Sequence, residues 1–463
     1  MSKLNKDNLR KTIYYFKKNG LKNTLYAVAE RLQKKDTDSY TYAAPGQEEL
    51  VKQRETKWES PVVFSILVPL YRTPVDYFKE MVESVLAQTY PYFQLILLDA
   101  SEDTAVLESV TKGYNDERIC YHKLAENKGI AENTNAGLAY ATGDYIALLD
   151  HDDLLTADAL YEFAVAIEES KKQGIELQML YSDEDKCDGD GVTFYEPHFK
   201  LDFNLDLLMT NNYICHFTAI KAEVFGELQL RGEYNGAQDF DLVLRVAGKF
   251  MSCQQMIYHV TKVLYHWRCH RNSTAANPAS KMYAYEAGKR AVEDFVAQRG
   301  WKVTVEHLKH LGFYRVWYED GRDAIFKERP EVGALGGSLL GARNRIVGGL
   351  RTAEGKVVYE GLQSGFSGYM NRATLVQQAS VLDIRCMRVN PVCQEILEQC
   401  LQEFGLTKMQ YHCTELEQNL QDEDITKLSI TVSKKLREAG YVLVWDPGWE
   451  LWGMEHVNWL KKK

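Results

Sequence analysis

The sequence predicts an α/β protein built on a doubly wound mixed sheet, with a helical segment before it and a smaller α/β domain behind it. Three observations predict this. Phe64-Ser-Ile-Leu-Val-Pro-Leu-Tyr71, Tyr92-Phe-Gln-Leu-Ile-Leu-Leu-Asp99 and Tyr145-Ile-Ala-Leu-Leu-Asp150 are near-continuous apolar runs of strand length, as strands covered on both faces require. Stretches of helical pattern separate them, which is the alternation of a doubly wound sheet. Two of the runs end in acid, and an unpaired carboxylate is too costly to bury. Asp99 and Asp150 therefore belong at one sheet edge, the carboxyl edge where open α/β sheets bind ligands.

The elements follow in order. The first 35 residues carry ten Lys and Arg side chains, from Lys3 to Lys35, against Asp7 and Glu30. Their net charge of +8 leaves −18 for the rest of a chain whose total is −10. Leu9, Ile13 and Phe16 share one helical face, Leu21, Leu25, Val28 and Leu32 another, and Asn19-Gly20 lies between. This basic amphipathic hairpin or kinked helix suits an anionic bilayer surface, or equally the acidic surface of the chain's own body. Thr73-Pro74 reads as a cap and a first-turn proline opening a helix to about Gln88. Arg118 to His122 is a short strand, Gly129 to Ala141 a helix, and Thr142-Gly143-Asp144 turns the chain into the strand that carries Asp150.

Asp150, Asp152 and Asp153 follow that strand with only His151 among them. Asp150 and Asp152, two apart, are spaced to lean on one hard cation and leave places for phosphate oxygens. The same residues also read as a solvated strand end or as the acidic start of the helix near Thr156. Asp183, Glu184 and Asp185 form a second acidic cluster after a strand from Leu177 to Ser182, and Asp239 opens a helix from Phe240 to Val246. Beyond about Leu311 the chain turns glycine-rich, then helical from Val389 to Gly405, and ends in helix, turn and strand around Leu436 to Pro447. The expected domains are residues 1–60, 61–312 and 313–463.

Val68-Pro69-Leu70-Tyr71, the run Ser84 to Pro91, Asn127-Lys-Gly129-Ile130 with Asn135-Ala-Gly137, and Leu149-Asp150-His-Asp152-Asp153 together resemble family 2 glycosyltransferases of the GT-A fold. The match is collinear from about Val62 to about Val305. It continues in Tyr181 to Asp185, in Gly236-Ala-Gln238-Asp239-Phe-Asp241 and in Leu264-Tyr-His266-Trp267-Arg268. The similarity is to the subgroup that builds bacterial cell-surface polysaccharides, including rhamnose-containing ones. It implies an inverting, metal-dependent transfer from a UDP- or dTDP-linked sugar to a growing surface polysaccharide or lipid-linked glycan. Asp150 and Asp152 match the motif for Mn²⁺ or Mg²⁺. His266 stands as a further metal or phosphate ligand and Arg268 as a phosphate contact, each also readable as part of an aromatic strand. Asp239 matches the base that takes the acceptor's proton. Pro69, Tyr71, Asp99, Asn135 and Asp150 fall in the donor's nucleotide-sugar pocket, and Asp183, Asp185 and Trp267 on the sugar and acceptor side. The family has two adjacent acids after its second strand, the second reading the pyrimidine. Here that place falls to Asp99 or Ala100.

The C-terminal part resembles the back half of a second such domain without its front half. The acids before its last helix would fall at Ser429 and Thr431, so it reads as non-catalytic: an acceptor platform, a homodimer surface or a lid. Composition agrees. No run of eighteen apolar residues is present, and no apolar stretch follows the basic N-terminus, so neither a membrane span nor a signal peptide is expected. Nine cysteines without a C-x-x-C pair read as thiols of a reducing cytoplasm, which places the chain in the cytoplasm or at the inner face of the plasma membrane. An acidic body without a basic–aromatic stripe argues against nucleic acid. Two rivals remain. A sugar-1-phosphate nucleotidyltransferase would need a glycine-rich loop after the first strand, which Val68 to Pro74 lacks. A catalytically dead glycan-binding scaffold would not need Asp150, Asp152 and Asp239.

Overall fold

The computed structural model describes residues 15–16, 20–21, 24–30, 39–269, 282–408, 411 and 413–453. All ten basic side chains of the first segment lie outside these residues, as do Leu9, Ile13, Leu32 and Trp459. The chain forms two compact units. The larger comprises Lys35–Phe203 and Asn212–Ala297, the smaller Met1–Lys34, Asn204–Asn211 and Gln298–Lys463.

This division departs from the expected boundaries at residues 60 and 312. Residues beyond 35 join the larger unit because they pack into it. Gln53, on the helix Gln47–Arg54, accepts a 2.7 Å bond from Thr89, and Trp58 meets Tyr90 edge-on at 5.0 Å. At the other end, residues 298–312 join the smaller unit, where Arg315 is buried against Asp446.

In the larger unit the strands are β1 (Phe64–Leu70), β2 (Phe93–Asp99), β3 (Ile119–Lys123), β4 (Tyr145–Leu148), β5 (Leu154–Leu155), β6 (Met179–Cys187), β7 (Phe194–His198), β8 (Thr218–Lys221) and β9 (Ile257–Arg268). They form one mixed sheet in the order β3-β2-β1-β4-β8-β6-β9-β5, with β7 paired to β6. The first four strands are mutually parallel, and β4 meets β8 antiparallel. The chain leaves β1 toward β2 and β3 and returns on its other side as β4, so a topological switch point lies between β1 and β4. Leu70 and Leu148 end there, with Asp150 just beyond.

Local chemistry sets these elements. Pro74 is the N-cap residue of the helix Val75–Leu86, one position before the expected first turn, and Phe78, Met81, Val82 and Val85 give that helix its buried face. The predicted helix from Gly129 is shorter: it runs from Ile130 to Ala136 and tightens into a 3₁₀ turn, Gly137–Ala139. Gly129 precedes it at φ +94°, a conformation that glycine adopts without strain. The core joins both sides of the sheet edge, from Phe64, Ile66 and Val68 to Phe163, Phe217 and Tyr265.

In the smaller unit β10 (Val303–His307) and β11 (Tyr314–Tyr318) form a hairpin. β12 (Val332–Leu340) is buried throughout and pairs with β13 (Ile346–Gly348). β14 (Leu350–Arg351), β15 (Gln377–Gln378), β16 (Val381–Leu382), β17 (Met387–Val389) and β18 (Val442–Trp452) complete it, with β18 parallel to β12. The helix Asp422–Glu438 presents Ile425, Leu428, Val432 and Leu436 to the same core as Trp445. Helical residues 24–30 also belong to this unit. Glu30 accepts bonds from the Ser367 and Gly368 N–H groups at 2.6 and 3.1 Å, and Tyr26 packs edge-on against Phe366 at 5.6 Å. Leu21, Leu25 and Val28 stay exposed. Among the described residues no helix is long and apolar enough to cross a membrane.

Candidate functional site

The sequence after β4 turns at once. Leu149 is still held by Leu67, its N–H 3.3 Å from that carbonyl, but the Asp153 N–H already folds back to the Asp150 carbonyl at 3.3 Å. Asp150 and Asp152 are left partly exposed at the strand end, while Asp153 is buried. Asp153 accepts from the Tyr265 hydroxyl at 2.5 Å and from the Arg268 N–H at 2.7 Å. Burial pushes its carboxyl well above the usual range, and Asp150 and Asp152 beside it push further.

Asp239 comes to the same place from the helix Gln238–Lys249, where it sits in the first turn. The Asn212 amide donates to its Oδ2 at 2.8 Å. Burial raises its pKa; His216 works against this and Asp150 adds to it, so the two acids sense one another. Asp241 does not share the site. It is buried between Arg231 and Arg245, whose Nε atoms donate to it at 3.0 and 2.9 Å.

His216 connects the acids. Its Nδ1 lies 3.2 Å from Glu184 Oε2, its Nε2 3.8 Å from Asp150 Oδ2, and its ring stacks on Tyr265 at 4.6 Å. Burial disfavours its charge, but Cys215 and Glu184 hold its pKa well above the ordinary value. Glu184 would be pushed up by burial, yet Lys200, His198 and His216 hold it well below the carboxylate range. Lys200 is itself buried, 3.4 Å from Glu184 and donating to the Ile214 carbonyl at 2.5 Å. Glu184, Cys215 and His216 are the one group among the described residues that brings three potential metal-ligating atoms within 4.8 Å of one another.

The strand alternation decides which predicted residues reach this place. Asp183, Glu184 and Asp185 do not follow a strand but lie inside β6, so successive side chains take opposite faces. Glu184 faces His216. Asp183 and Asp185 face inward, to His259 Nε2 at 2.8 Å and His266 Nδ1 at 2.5 Å. On β9 the same rule sends Tyr265 and Trp267 toward His216, at 4.6 and 5.8 Å, and His266 the other way. His266, expected as a ligand beside Asp150 and Asp152, lies on the other face, buried against Asp185, Tyr42 and Phe194.

Arg268, expected as a phosphate contact, is two residues further along β9. It is fully buried, with Nε on the Asp152 carbonyl at 2.7 Å, one terminal nitrogen on the Gly189 carbonyl at 2.9 Å and the other 2.6 Å from Glu80. Its charge secures the acidic turn from beneath and is not available to a phosphate. Asp99 is enclosed, accepting from the Ser101 N–H at 2.8 Å and the Tyr121 hydroxyl at 2.5 Å. Asn135 is spent on both backbone groups of Leu230, at 2.8 and 3.0 Å. Pro69 and Tyr71 remain partly open at the β1 end, where the Tyr71 hydroxyl donates to Glu102 at 3.2 Å. Glu102, exposed and held down to about 2 by Arg72, is the acid that this end of the sheet presents.

Sequence reasoning missed Glu184, Asn212 and His216. The signal for Glu184 was a period of two, usable only once the acids are known to lie within a strand. For Asn212 and His216 it was the run Asn211-Asn212-Tyr213-Ile-Cys215-His216, where polar residues interrupt the approach to an apolar strand.

The divalent cation that the sequence resemblance implies can be tested against these groups. Asp150 and Asp152 are hard oxygen donors, partly exposed, and the adjoining buried Asp153 is driven toward its neutral form by their charge. That local excess of negative charge is what a divalent cation would relieve, so the residues fit one.

Part of the chain is similar to known proteins. Residues 65–229 match the family profile described as glycosyl transferase family 2. The uncharacterized protein y4gI of Sinorhizobium fredii is 37% identical over 268 residues, 57% of this chain and 29% of that protein. The O-antigen biosynthesis protein RfbC of Myxococcus xanthus is 30% identical over 279 residues, 58% of this chain and 21% of that protein. The chain thus spans less than a third of the length of these relatives. Among solved structures, S. aureus TarS 1-349 in complex with UDP is 19% identical, covering 50% of this chain and 65% of that one, with a TM-score of 0.38.

Proposed function

We propose that the glycosyl transferase family 2 domain matched over residues 65–229, completed by the helix that carries Asp239, transfers a sugar from a nucleotide-diphosphate donor to a cell-surface polysaccharide or lipid-linked glycan. The observation that carries the reading is the meeting of Asp150 and Asp239 around His216 at the carboxyl edge of the sheet. The name of the O-antigen relative supports the class of product.

Asp239 is the base. Held by Asn212 at Oδ2, its carboxylate takes the acceptor hydroxyl's proton as that hydroxyl attacks the anomeric carbon. One base and one displacement give inversion. The elevated pKa of Asp239 suits this task, since a base works best with a pKa nearer the working pH. Asp150 and Asp152 would hold Mn²⁺ or Mg²⁺, whose chemistry when bound is to neutralise the charge that develops on the departing diphosphate. His216, its pKa held well above the ordinary value by Cys215 and Glu184, lies 3.8 Å from Asp150 Oδ2. Trp267, half-buried on the same face, offers flat apolar surface to a sugar ring.

The experiment is transfer from a panel of UDP- and dTDP-sugars with and without Mn²⁺, the anomeric configuration of the product being read by NMR. Inverted product, formed by the wild type and not by Asp239→Asn, is expected. Retention of configuration would remove this mechanism.

The membrane contact through residues 1–35 belongs with this reading. One side of helical residues 24–30 is occupied by Glu30 and Tyr26, while Leu21, Leu25 and Val28 stand exposed in a segment of charge +8. Apolar stripe and basic charge together suit the surface of an anionic bilayer. Sedimentation with phosphatidylglycerol vesicles, lost in Leu21→Glu with Leu25→Glu, is the expected result, and binding unchanged by that pair would refute it.

A further inference from the structure

The smaller unit contains a cavity of about 210 Å³ that the transfer site does not use. Its walls are apolar: Met209, Ile325, Leu335 and Val444 are buried there, joined by Val316 and Val376. Its polar groups are few and convergent. Asp446, in the irregular stretch of β18 between its Trp445 and Glu450 pairings with β12, accepts from Arg315 at 2.7 Å, from Arg322 at 3.0 Å and from the Gly448 N–H at 2.8 Å. Arg315 is only 7% exposed, and its Nε–H has no partner among the described residues. A buried guanidinium donor left unmade is costly, and such orphans in native proteins call for an explanation. Asp206, also in the lining, is already neutralised by Arg329, whose terminal nitrogens reach it at 2.5 and 3.1 Å.

We infer that this cavity binds a single pyranose unit carrying one carboxylate, either free or at the end of a glycan. Charge comes first. Arg315 and Arg322 face one Asp446, so the pocket has one positive charge in excess to spend on an acid, and Arg322 is the guanidinium open to it. Asp446 offers about four acceptor sites, of which three are taken, so one remains for a hydroxyl. Size comes second. The cavity holds roughly seven water volumes at ~30 Å³ each, room for one ring and too little for a nucleotide. Surface comes third. The apolar walls suit the C–H face of a sugar, and Trp317, 43% exposed and 4.5 Å from the Arg315 guanidinium, stands at the rim. Asp239 and the donor chemistry play no part in this inference, so the two stand or fall separately.

The test is saturation-transfer NMR and calorimetry on the full chain with D-glucuronate, D-glucose, inorganic phosphate and benzoate as probes. Saturable glucuronate binding, with a Kd on the order of millimolar, is expected, with glucose about tenfold weaker for want of the charged hydrogen bond. Arg322→Gln should weaken glucuronate about tenfold, while Arg315 still pairs Asp446 and keeps the melting temperature near wild type. Trp317→Ala, at a half-exposed position, supplies the second variant and should also weaken binding. No saturable glucuronate binding overturns the inference. So does phosphate or benzoate binding as tightly as glucuronate, which would mean a mere anion or apolar-acid site, and so does affinity unchanged by both variants.

Discussion

The smaller unit and the carboxyl edge of the larger unit's sheet bury aspartates in opposite ways. In the smaller one every buried aspartate answers to guanidinium. Asp383 is bonded by Arg351 at 2.6 Å and Arg385 at 2.9 Å, Asp206 by Arg329, and Asp446 by Arg315 and Arg322. Burial alone would raise Asp383, but Arg385 and Arg351 hold it below the ordinary carboxylate value. In the larger unit the acids at the sheet's carboxyl edge crowd one another instead, and both Asp153 and Asp239 are pushed up by burial and by their acidic neighbours. A fold that pairs acids so thoroughly in one unit has the means to pair them in the other. Acids kept in mutual repulsion serve something besides stability, and perturbed carboxyls in a cleft are where chemistry is found.

The comparison breaks most visibly at Asp239. Asp239→Asn should keep donor affinity and the fold, because an amide can still face Asn212 and occupy the helix's first turn. Turnover should fall by about 10²–10⁴, the worth of a positioned base. Steady-state transfer beside calorimetric donor binding measures both. Unchanged turnover would put Asp239 among the merely structural acids.

On the other side of the comparison lies Asp383→Ala. It leaves Arg351 and Arg385 buried without their partner, and removing one member of a buried pair costs about 3–5 kcal/mol. Urea denaturation of the full chain should show that loss, while donor binding at the larger unit holds. A change below about 1 kcal/mol would mean that the pair behaves as a surface one.

Asp152→Ala sharpens the contrast with a smaller stability effect. Removing one acid from a self-repelling cluster should leave stability within about 0.5 kcal/mol, or raise it slightly. The manganese-dependent part of donor binding should weaken about tenfold or more, as loss of a charged ligand does. Wild-type transfer by this variant would sink the assignment of the metal to Asp150 and Asp152.

How much of this was readable in the sequence follows from periodicity. The strands from Phe64, Phe93 and Tyr145 were legible because a strand covered on both faces leaves a continuous apolar run. Asp150 and Asp239 were legible because an acid after such a run, or at a helix start, has few structural excuses. The choice among Asp183, Glu184 and Asp185 was not legible. It turns on which side of β6 each residue faces, and that depends on β6 continuing through the acids to pair with β7 and β9. The placement of His266 and Arg268 was not legible for the same reason, since one step along β9 separates the face of His216 from the face of Asp185. What lies around residue 312 was not legible for a different reason: the partner of Arg315 is Asp446, more than a hundred residues away, and no local pattern announces such a pairing.

The smallest effect is a dependence on pH, and its sign distinguishes the two kinds of acid. Asp383 has a folded pKa below its unfolded one, so the stability it contributes is fully present above the unfolded value of about 3.9. That contribution is lost as pH falls through the depressed folded value. Asp383→Asn removes the titration and keeps the shape. The stability gap between wild type and this variant should therefore be flat from about pH 7 to about pH 5 and close as the pH drops below about 4. Other acids titrate in the same range, but they do so in both proteins and cancel in the difference. Parallel urea titrations at each pH measure the gap. A gap that widens on acidification would mean that Asp383 is held by something other than its two arginines, and the contrast between the units would lose its clearest member.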